Sequence, residues 1–326
     1  MVKGNKLSSN FRGVSHQNGL ALVTVMLVVV LAASIAAFMG LRQQSWIRHA
    51  ENIKDRTQAA HIFESALAVA TIVLERDAAK NNSDHRGEAW NTPILQLPIE
   101  TGKVSVTITD AQGQFNITNL MNGGNPSPED IGAFRRLLAY YDIDADLVDA
   151  LVDWMDADNR VRPGGAEDNV YLSYSPPYRT GNVVLIDVEE LRLVRGFTPE
   201  VITKLRPFLV ALPARTKINA NTARAPVLGA LFAAMPLSEA ETLSKSLQDL
   251  PLTTPADLSA RAGKKYKPLA PYDVRSSYFR VNVFTEIGRY QNRSFAIVFR
   301  PVKGQASRRV HRSRTPVYMA TTQSKG

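Results

Sequence analysis

Seven aspartates crowd into a short stretch near the middle of this 326-residue chain, where several carboxylates could act together on one ion. Four of them recur at three- and four-residue spacing, so they would share one face of a helix. A Gly-containing loop (residues 159–165) follows, and Glu167 and Asp168 then add two more carboxylates. Carboxylates that arrive from a helix end and from a loop suit an oxygen-seeking cation such as calcium. The seven are Asp142, Asp144, Asp146, Asp149, Asp153, Asp156 and Asp158, and the four on one face are Asp146, Asp149, Asp153 and Asp156.

The same acidic segment has a simpler interpretation as a solvated helix face. Like charges at helical spacing destabilise a helix by about a few tenths of a kcal/mol per pair, unless a cation or the solvent screens them. Arg160 and Arg162 lie close enough in sequence to pair with some of these carboxylates. The loop is not an EF-hand, because Arg160 and Val161 occupy the third ligand position and the glycine position of that motif. The residues alone therefore favour the solvated, partly paired face over a cation site.

Catalytic chemistry finds no support in the residue types and their spacing. The chain has no cysteine, which excludes thiolate sites and disulfides. None of the five histidines forms a zinc-spaced pair, and the sequence contains neither a phosphate-cradling Gly loop nor a G-x-S-x-G elbow. We therefore expect that the protein is not an enzyme. The histidines are His16, His49, His61, His85 and His311.

The elements that must position the acidic segment begin with a membrane segment. Residues 20–41 form an uncharged apolar run of 22 residues, which is long enough to cross a bilayer as a helix. The leader before it carries Lys3, Lys6 and Arg12 without any acid, so it should stay in the cytoplasm and the rest should lie outside. Three fates remain open: a single-pass anchor, a secretory signal cut near residues 32–37, and a prepilin-type leader cut between Gly19 and Leu20.

A continuous helix is predicted beyond the apolar run. Neither Pro nor Gly occurs between residues 41 and 86, and these are the strongest helix breakers. A helix from residue 20 to about residue 80 would be roughly 90 Å long. Its last third should pack on a globular domain through apolar residues that recur at helical spacing. These are Ala59, Ile62, Phe63, Ala66, Leu67, Ala70, Val73 and Leu74.

The remainder of the chain predicts an α+β fold in which a large all-α domain is inserted between the strands of a small antiparallel sheet. Strands are expected at 94–99, 103–109, 114–118, 278–285 and 294–300, and Pro98 restricts the first strand to a sheet edge. Helices are expected at 127–141 and 145–155, and two short helices broken at Gly196 at 188–209. The predicted segments are a leader (1–19), a transmembrane part (20–41), the helix continuation with the first strands (42–118), the inserted domain (119–270), the closing strands (271–303) and a basic, disordered tail (304–326).

The charge distribution bears on the class of partner. The formal net charge is +9, but the leader contributes three of these charges and residues 301–326 contribute six, and neither segment contains an acid. The body is therefore neutral, and a phosphate-binding face is not indicated. The short helical pairs nevertheless resemble the hairpin modules of DNA-binding proteins. The alternative function is therefore a membrane-tethered nucleic-acid-binding protein of a DNA-uptake apparatus.

Several motifs together resemble protein K of the bacterial type II secretion system, a large minor pseudopilin. They are NGLALVTVMLVVVLA, FNITNL, LVDWMDAD, PGGAED, SPPYR, VEELRLVRGF and INANTA, and they keep the order of the family over nearly the whole chain. The resemblance implies that a prepilin peptidase cuts between Gly19 and Leu20 and that the new Leu20 amine is methylated. It also implies calcium in the helical domain, at positions that match Asp153, Asp156, Asp158, Asn159, Glu167 and Asp168.

One position departs from the general pilin pattern. Most pilins carry a glutamate at the fifth mature position, thought to meet the amine of a neighbouring subunit, whereas this chain has Thr24 there. An unpartnered carboxylate in lipid is unfavourable, so its absence suggests that no subunit lies above this one. This agrees with the family view that protein K caps the pseudopilus tip together with the minor pseudopilins I and J.

The resemblance implies a function in assembly. The expected protein is anchored in the bacterial inner membrane by a single pass, with its N-terminus in the cytoplasm and its globular part in the periplasm. It would initiate or cap the pseudopilus and support protein export across the outer membrane. Its expected partners are pseudopilins I and J, the prepilin peptidase, membrane lipid, and secreted substrates or the outer-membrane secretin, with no nucleic acid.

Overall fold

The computed structural model describes residues 18–263, 265–301 and 307–315, and the chain divides into two units, Met1–Gln58 and Ala59–Gly326. Helix α1 (Asn18–Lys80) is 63 residues long and has no break, as the sequence predicts. Every described residue of the first unit belongs to it. By length and composition its apolar part could span a membrane, with a mean hydropathy of 2.8 over its most apolar window. Most of the predicted leader, residues 1–17, lies outside the described residues.

The second unit contains the sheet and the remaining helices. The helices after α1 are α2 (Pro128–Ala139), α3 (Leu147–Met155), α4 (Asp168–Tyr171), α5 (Pro199–Leu205), α6 (Ala225–Ala230), α7 (Leu237–Asp249) and α8 (Asp257–Ala262). The strands are β1 (Ile94–Ile99), β2 (Gly102–Asp110), β3 (Phe115–Asn116), β4 (Met121–Asn122), β5 (Asn125–Pro126), β6 (Leu209–Val210), β7 (Ile218–Asn219), β8 (Tyr272–Asp273), β9 (Tyr278–Ile287), β10 (Tyr290–Phe299) and β11 (Arg308–Thr315). Short 3-10 turns lie at Ala89–Asn91, Ala111–Gly113, Ile117–Leu120, Val188–Leu193 and Arg206–Phe208.

Five strands form one antiparallel sheet in the order β1-β2-β9-β10-β11. Strand β1 lies at an edge, the position that Pro98 requires, because proline cannot donate to a ladder on both sides. Strands β2 and β9 pair over their whole length, from Gly102 opposite Ile287 to Asp110 opposite Phe279. The chain therefore leaves the sheet after β2 and returns to the adjacent position at β9, with the helical region inserted between them.

The C-terminal part of α1 packs on this sheet through the predicted apolar face. Phe63, Ala70 and Leu74 are almost completely buried, and they pack against inward-facing residues of β2, β9 and β10. The spacing of these residues is that of one helical face. Burial of such an apolar stripe provides most of the stability of a surface helix. The sheet residues of this cluster are Val104, Ile108, Phe279, Val281, Val283, Ala296 and Val298.

The inserted region has its own core. The cluster begins at Phe115, ends at Val274, and takes in the buried faces of α2, α3, α5, α6 and α7. It is thus a few residues wider at each end than the predicted segment 119–270. The expected long helices are shorter than predicted, and the pair broken at Gly196 is a 3-10 turn followed by α5, which Thr198 caps by accepting from the Val201 N–H. The α+β class with an inserted helical domain is confirmed.

The prediction of a disordered tail is wrong for residues 308–315. These residues form strand β11, which pairs antiparallel with β10, and Arg309 contacts the Glu64 carboxylate at 2.8 Å. The alternation of arginine with other residues suits an edge strand, since exposed charges protect an edge from further pairing. Residues 304–306 and 316–326 of the predicted tail lie outside the described residues.

The predicted strand at 114–118 is also shorter than expected. Only Phe115–Asn116 is extended, and it pairs in parallel with β6 instead of joining the main sheet. The reason is local, because the Asn116 side chain accepts a hydrogen bond from the Thr118 N–H and starts a 3-10 turn. Asn219, in the second Asn-containing motif, is completely buried. It donates to Asp110 and Ser276, and so joins the inserted region to the end of β2.

Candidate metal centre

Helix α3 carries two of the predicted carboxylates into buried positions. Asp153 lies in its last turn and is 0% exposed, and Asp156, which ends the helix, is 4% exposed. The Asp156 N–H donates to the Val152 carbonyl and closes the last turn. The helix is held in place by Trp154, whose ring packs edge-on against Tyr171 with 5.1 Å between centroids. The C-terminal end of α3 therefore points carboxylates into the protein.

The loop after α3 returns a third buried carboxylate to the same place. Glu167, immediately before α4, is 3% exposed. One carboxylate oxygen from each of Asp156, Asp158 and Glu167 lies within 4.8 Å of the other two. Asp158 is exposed, so the group opens to solvent on one side. We refer to Asp153, Asp156, Asp158 and Glu167 as the acidic cluster.

Several oxygens of the acidic cluster lack a hydrogen-bond donor within the described part of the chain. Asp153 Oδ1, Asp156 Oδ1 and both carboxylate oxygens of Glu167 are buried without one among the residues that the structure describes. A buried carboxylate without a donor is strongly unfavourable. Arg162 approaches the cluster, with Nε 3.3 Å from Asp153 Oδ1 and Nη2 3.9 Å from Asp156 Oδ2. A single guanidinium facing four carboxylates leaves a surplus of negative charge.

The surplus charge alters the proton affinity of these groups. Burial raises the pKa of Asp153 to about 6, and the neighbouring Asp156 carboxylate adds to the increase. Burial, followed by repulsion from Asp153, Asp156 and Asp158, raises the pKa of Glu167 to about 7. The pKa of Asp156 is raised for the same reasons, burial first and then Asp158. Unpaired oxygens and like charges are what a bound divalent cation would satisfy, so the cluster fits calcium.

In the metal-free protein this cluster should make stability depend on pH. Since the folded-state pKa values of Asp153 and Glu167 are raised, the folded protein keeps protons that the unfolded chain has already lost. The contribution of these two groups to stability is then fully present below their unfolded pKa values of about 4, and it is lost as pH rises toward 6–7. With a chelator present, we expect the melting temperature of a fragment comprising residues 59–326 to fall between about pH 5 and about pH 7.5.

Two variants provide the comparison for this pH dependence. Glu167→Gln should reduce this fall in melting temperature with pH, because the amide does not titrate. Glu239→Gln should leave it unchanged, since the pKa of the exposed Glu239 is lowered by its hydrogen bond from Lys265 and lies below the tested range. A pH profile that is the same in wild type and Glu167→Gln would contradict the assignment.

The two glycines of the loop allow its close approach to the cluster. A Cβ on Gly165 would lie 1.8 Å from Asp153 Oδ2, and one on Gly164 would lie 2.4 Å from the Asp146 Cβ. Asp153 Oδ2 instead accepts the Arg162 backbone N–H at 3.1 Å. The Pro-Gly-Gly sequence thus lets the loop backbone lie directly against the end of α3.

Gly165→Ala should therefore displace the loop from Asp153 and destabilise the 59–326 fragment by roughly 1–3 kcal/mol, the range for overpacking a tight site. Gly132→Ala is the matched control, because a Cβ there meets only the flexible end of Arg136 at 3.3 Å. Inside helix α2 this second change should be neutral or slightly stabilising. Urea denaturation measures both, and equal stabilities would show that the close approach is unimportant.

The remaining predicted carboxylates are engaged elsewhere. Asp168 Oδ1 accepts from the N–H and the hydroxyl of Thr180, and its Oδ2 accepts from Arg179 at 2.8 Å. These hydrogen bonds, first that from the Thr180 N–H, lower the pKa of Asp168. Asp149 pairs with Arg135 at 2.8 Å, and Asn159 is exposed. The helical face predicted from spacing is therefore divided, because Asp149 pairs with Arg135 whereas Asp153 and Asp156 belong to the acidic cluster. Nothing in the sequence indicated that Thr180 would bind Asp168.

The predicted processing site lies at the start of α1. Gly19 and Leu20 are both in the first turns of that helix. Thr24, at the position of the usual pilin glutamate, donates its hydroxyl to the Ala21 carbonyl at 2.9 Å. This local hydrogen bond satisfies the hydroxyl within its own helix, so Thr24 needs no partner in an apolar environment. Cleavage and methylation at this site remain predictions.

Comparison with known proteins places these features in a family. The family model described as "Type II secretion system (T2SS), protein K" matches residues 113–214. The chain is 39% identical to type II secretion system protein K of Pseudomonas aeruginosa over 228 residues, which cover 66% of this chain and 68% of that protein. It is 30% identical to the Aeromonas hydrophila protein K over 298 residues, which cover 84% of this chain and 90% of the relative.

A solved structure shares the fold. The match is to the crystal structure of the GspK-GspI-GspJ complex from the type 2 secretion system of enterotoxigenic Escherichia coli. It has a TM-score of 0.71 and 23% sequence identity, and it covers 82% of this chain and 99% of the other. The relatives that match are secretion proteins, and they give no support to the nucleic-acid alternative. The chain belongs to the family of type II secretion system protein K, the minor pseudopilin that is a structural component of that system.

Proposed function

We propose that this protein caps or initiates the type II secretion pseudopilus from the inner membrane, in complex with pseudopilins I and J. The observation that carries the proposal is the unbroken helix α1, which begins with an apolar run and ends packed on a sheet. Thr24 supports the tip position, because its hydroxyl is satisfied within the helix and offers no carboxylate to a subunit above. The inserted helical region would give the filament a bulky end. The proposal assigns the protein no catalytic role.

Membrane placement follows from the same helix. The leader would stay in the cytoplasm, and the second unit would lie in the periplasm, after cleavage between Gly19 and Leu20 by the prepilin peptidase. The mass of the N-terminal peptide of the membrane-extracted protein tests this step. A chain that starts at N-methylated Leu20 supports it, whereas an intact Met1 or a start near residue 37 rejects it.

Co-purification tests the partner proposal. The tagged full-length chain, expressed with pseudopilins I and J of the same organism and extracted in a non-ionic detergent, should retain both proteins. A second variant keeps the apolar run but has a short linker in place of residues 119–270. It separates the role of helix α1 from that of the inserted domain. Failure to retain I and J, together with salt-dependent DNA binding by the full chain, would favour the nucleic-acid alternative.

We also propose that the acidic cluster binds calcium. Asp156, Asp158 and Glu167 would hold the ion, with Asp153 behind them and Arg162 contributing the remaining positive charge. The unpaired buried oxygens of Asp156 and Glu167 carry this proposal. The ion would supply charge neutralisation and would join the end of α3 to the loop before α4. Titration of the chelator-treated protein with calcium chloride in a calorimeter tests it, and the absence of binding would reject it.

A further inference from the structure

A cleft of about 470 Å³ lies on the face of the sheet opposite helix α1. Strand β9 alternates its side chains between two faces, so Phe279 and Val281 contact α1 while Arg280 and Asn282 line the cleft. Its other wall is formed by the inserted region, including Arg224 at the start of α6. Arg86, from the segment after α1, completes a group of three arginines around one opening.

None of these three arginines forms an ion pair with a residue that the structure describes. Arg86 donates to the Thr222 carbonyl at 2.6 Å, and Arg224 lies over the Phe208 ring at 6.0 Å. Arg280 lies over the Phe295 ring at 4.4 Å, and its buried Nε has no acceptor within the described part of the chain. Arg300, which is 3% exposed, pairs by contrast with Asp84.

The acidic side chain in the cleft, Asp110, attracts Arg86 but forms no ion pair with any of the three arginines. Asp110 accepts hydrogen bonds from Ser276, Thr222 and Asn219 on Oδ2, and from the Gln112 N–H on Oδ1, at 2.5–2.8 Å. Asp187, which caps the 3-10 turn at Val188–Leu193, attracts the Arg280 guanidinium but forms no ion pair with it. Burial and then the neighbouring Arg224 guanidinium lower the pKa of Arg86, and the smaller opposing effect of Asp110 does not cancel this. Arg86 and Arg224 therefore repel each other, and the buried Nε of Arg280 is an unused donor within the described part of the chain.

The remaining lining suits a peptide. Gln114 donates its amide to the Pro207 carbonyl and Asn282 donates to the Thr107 hydroxyl. The side-chain oxygens of both residues therefore remain as acceptors for N–H groups. A peptide supplies both the carboxylate that arginine binds bidentately and the backbone N–H groups. A free inorganic anion such as phosphate has few N–H or O–H donors to offer.

We propose that this cleft binds an acidic peptide segment of a partner protein, with an Asp or Glu carboxylate held by Arg224, Arg280 and Arg86. The site shares no residue with the acidic cluster, so the inference stands or falls independently of the calcium proposal. The proposal rests on the proposed assembly role and adds that the cleft is one of the surfaces through which the protein would contact an acidic partner. The required partner feature is a carboxylate in an extended segment.

Calorimetric titration of the full-length chain in a non-ionic detergent tests the inference. The probes are an N-acetylated, C-amidated hexaglutamate, the matching hexaglutamine and inorganic phosphate. The variants are Arg224→Gln, which is exposed and should fold normally, and Arg280→Gln. The control is Arg289→Gln, which removes the same charge from the exposed turn at the far end of the β9–β10 hairpin.

We expect hexaglutamate to bind and each cleft variant to weaken binding by about tenfold or more, as loss of a charge-assisted hydrogen bond would. Arg289→Gln should bind as wild type does, hexaglutamine should not bind, and phosphate should bind at least about tenfold more weakly. Equal weakening in Arg289→Gln would mean that general charge attraction accounts for binding and would overturn the proposal. Phosphate binding as strong as peptide binding, or no binding of hexaglutamate, would also overturn it.

Discussion

Calcium is expected to raise the melting temperature of the 59–326 fragment by roughly 5–10 °C when the free ion exceeds its dissociation constant about 100-fold. A ligand at that excess contributes about 2.7 kcal/mol to the folded state, and each kcal/mol shifts the melting temperature of a domain of this size by about 2–4 °C. The physical source is the acidic cluster. Its buried oxygens on Asp156 and Glu167 have no donor among the described residues, and Arg162 alone cannot balance its charge.

Glu167→Gln distinguishes a cation site from an acidic face that is merely unfavourable. This variant should lose the calcium response, yet its metal-free form should melt higher than the metal-free wild type near neutral pH, because one buried negative charge is gone. Asp149→Asn is the matched control on the same helix, since the Asp149 carboxylate is bound to Arg135. It should keep the full calcium response. If chelation leaves the wild-type melting temperature unchanged, the fragment holds no stabilising ion.

Arg300→Met is expected to destabilise the fragment by about 3–5 kcal/mol, the effect of leaving a buried charge without its partner. Arg300 is 3% exposed. Its Nη2 donates to both oxygens of Asp84 at 2.6 Å and to the Ser276 carbonyl at 2.8 Å, and its Nη1 lies 3.1 Å from Asp77 Oδ2. One side chain after β10 therefore joins the end of α1, the segment that follows α1 and the segment before β9.

Urea denaturation of Arg293→Met controls for loss of an arginine from β10, the strand that ends just before Arg300. Arg293 is exposed and lies 5.7 Å from the Phe284 ring, so its loss should change stability by less than about 1 kcal/mol. The double variant Arg300→Met with Asp84→Asn should recover part of the lost stability, because the buried carboxylate is then also neutral. If Arg300→Met and Arg293→Met lost the same stability, the buried position of Arg300 would be unimportant.

Local sequence patterns predicted most elements of this fold. The apolar spacing of Phe63, Ala70 and Leu74 identified the face of α1 that packs on the sheet, since neighbours on a helix face are set by a period that the sequence displays. Pro98 likewise identified an edge strand. The errors lie where a side chain redirects the backbone, as Asn116 does, or where a distant edge orders a segment, as β10 does for residues 308–315.

For the candidate sites, the sequence by itself determined which residue types were present and which lay close along the chain. Spacing grouped Asp153 and Asp156 with Asp149, and the family resemblance then selected Asp153, Asp156 and Glu167 together with Asp168. Only the tertiary structure decided that Asp149 meets Arg135 and Asp168 meets Thr180, while Asp153, Asp156 and Glu167 keep buried oxygens that have no donor among the described residues. The arginine cleft had no local signal, because Arg86, Arg224 and Arg280 meet only after the inserted region folds back on the sheet. The reason is physical: spacing along a helix or strand is a property of the local backbone, whereas burial and charge pairing depend on residues far apart in sequence.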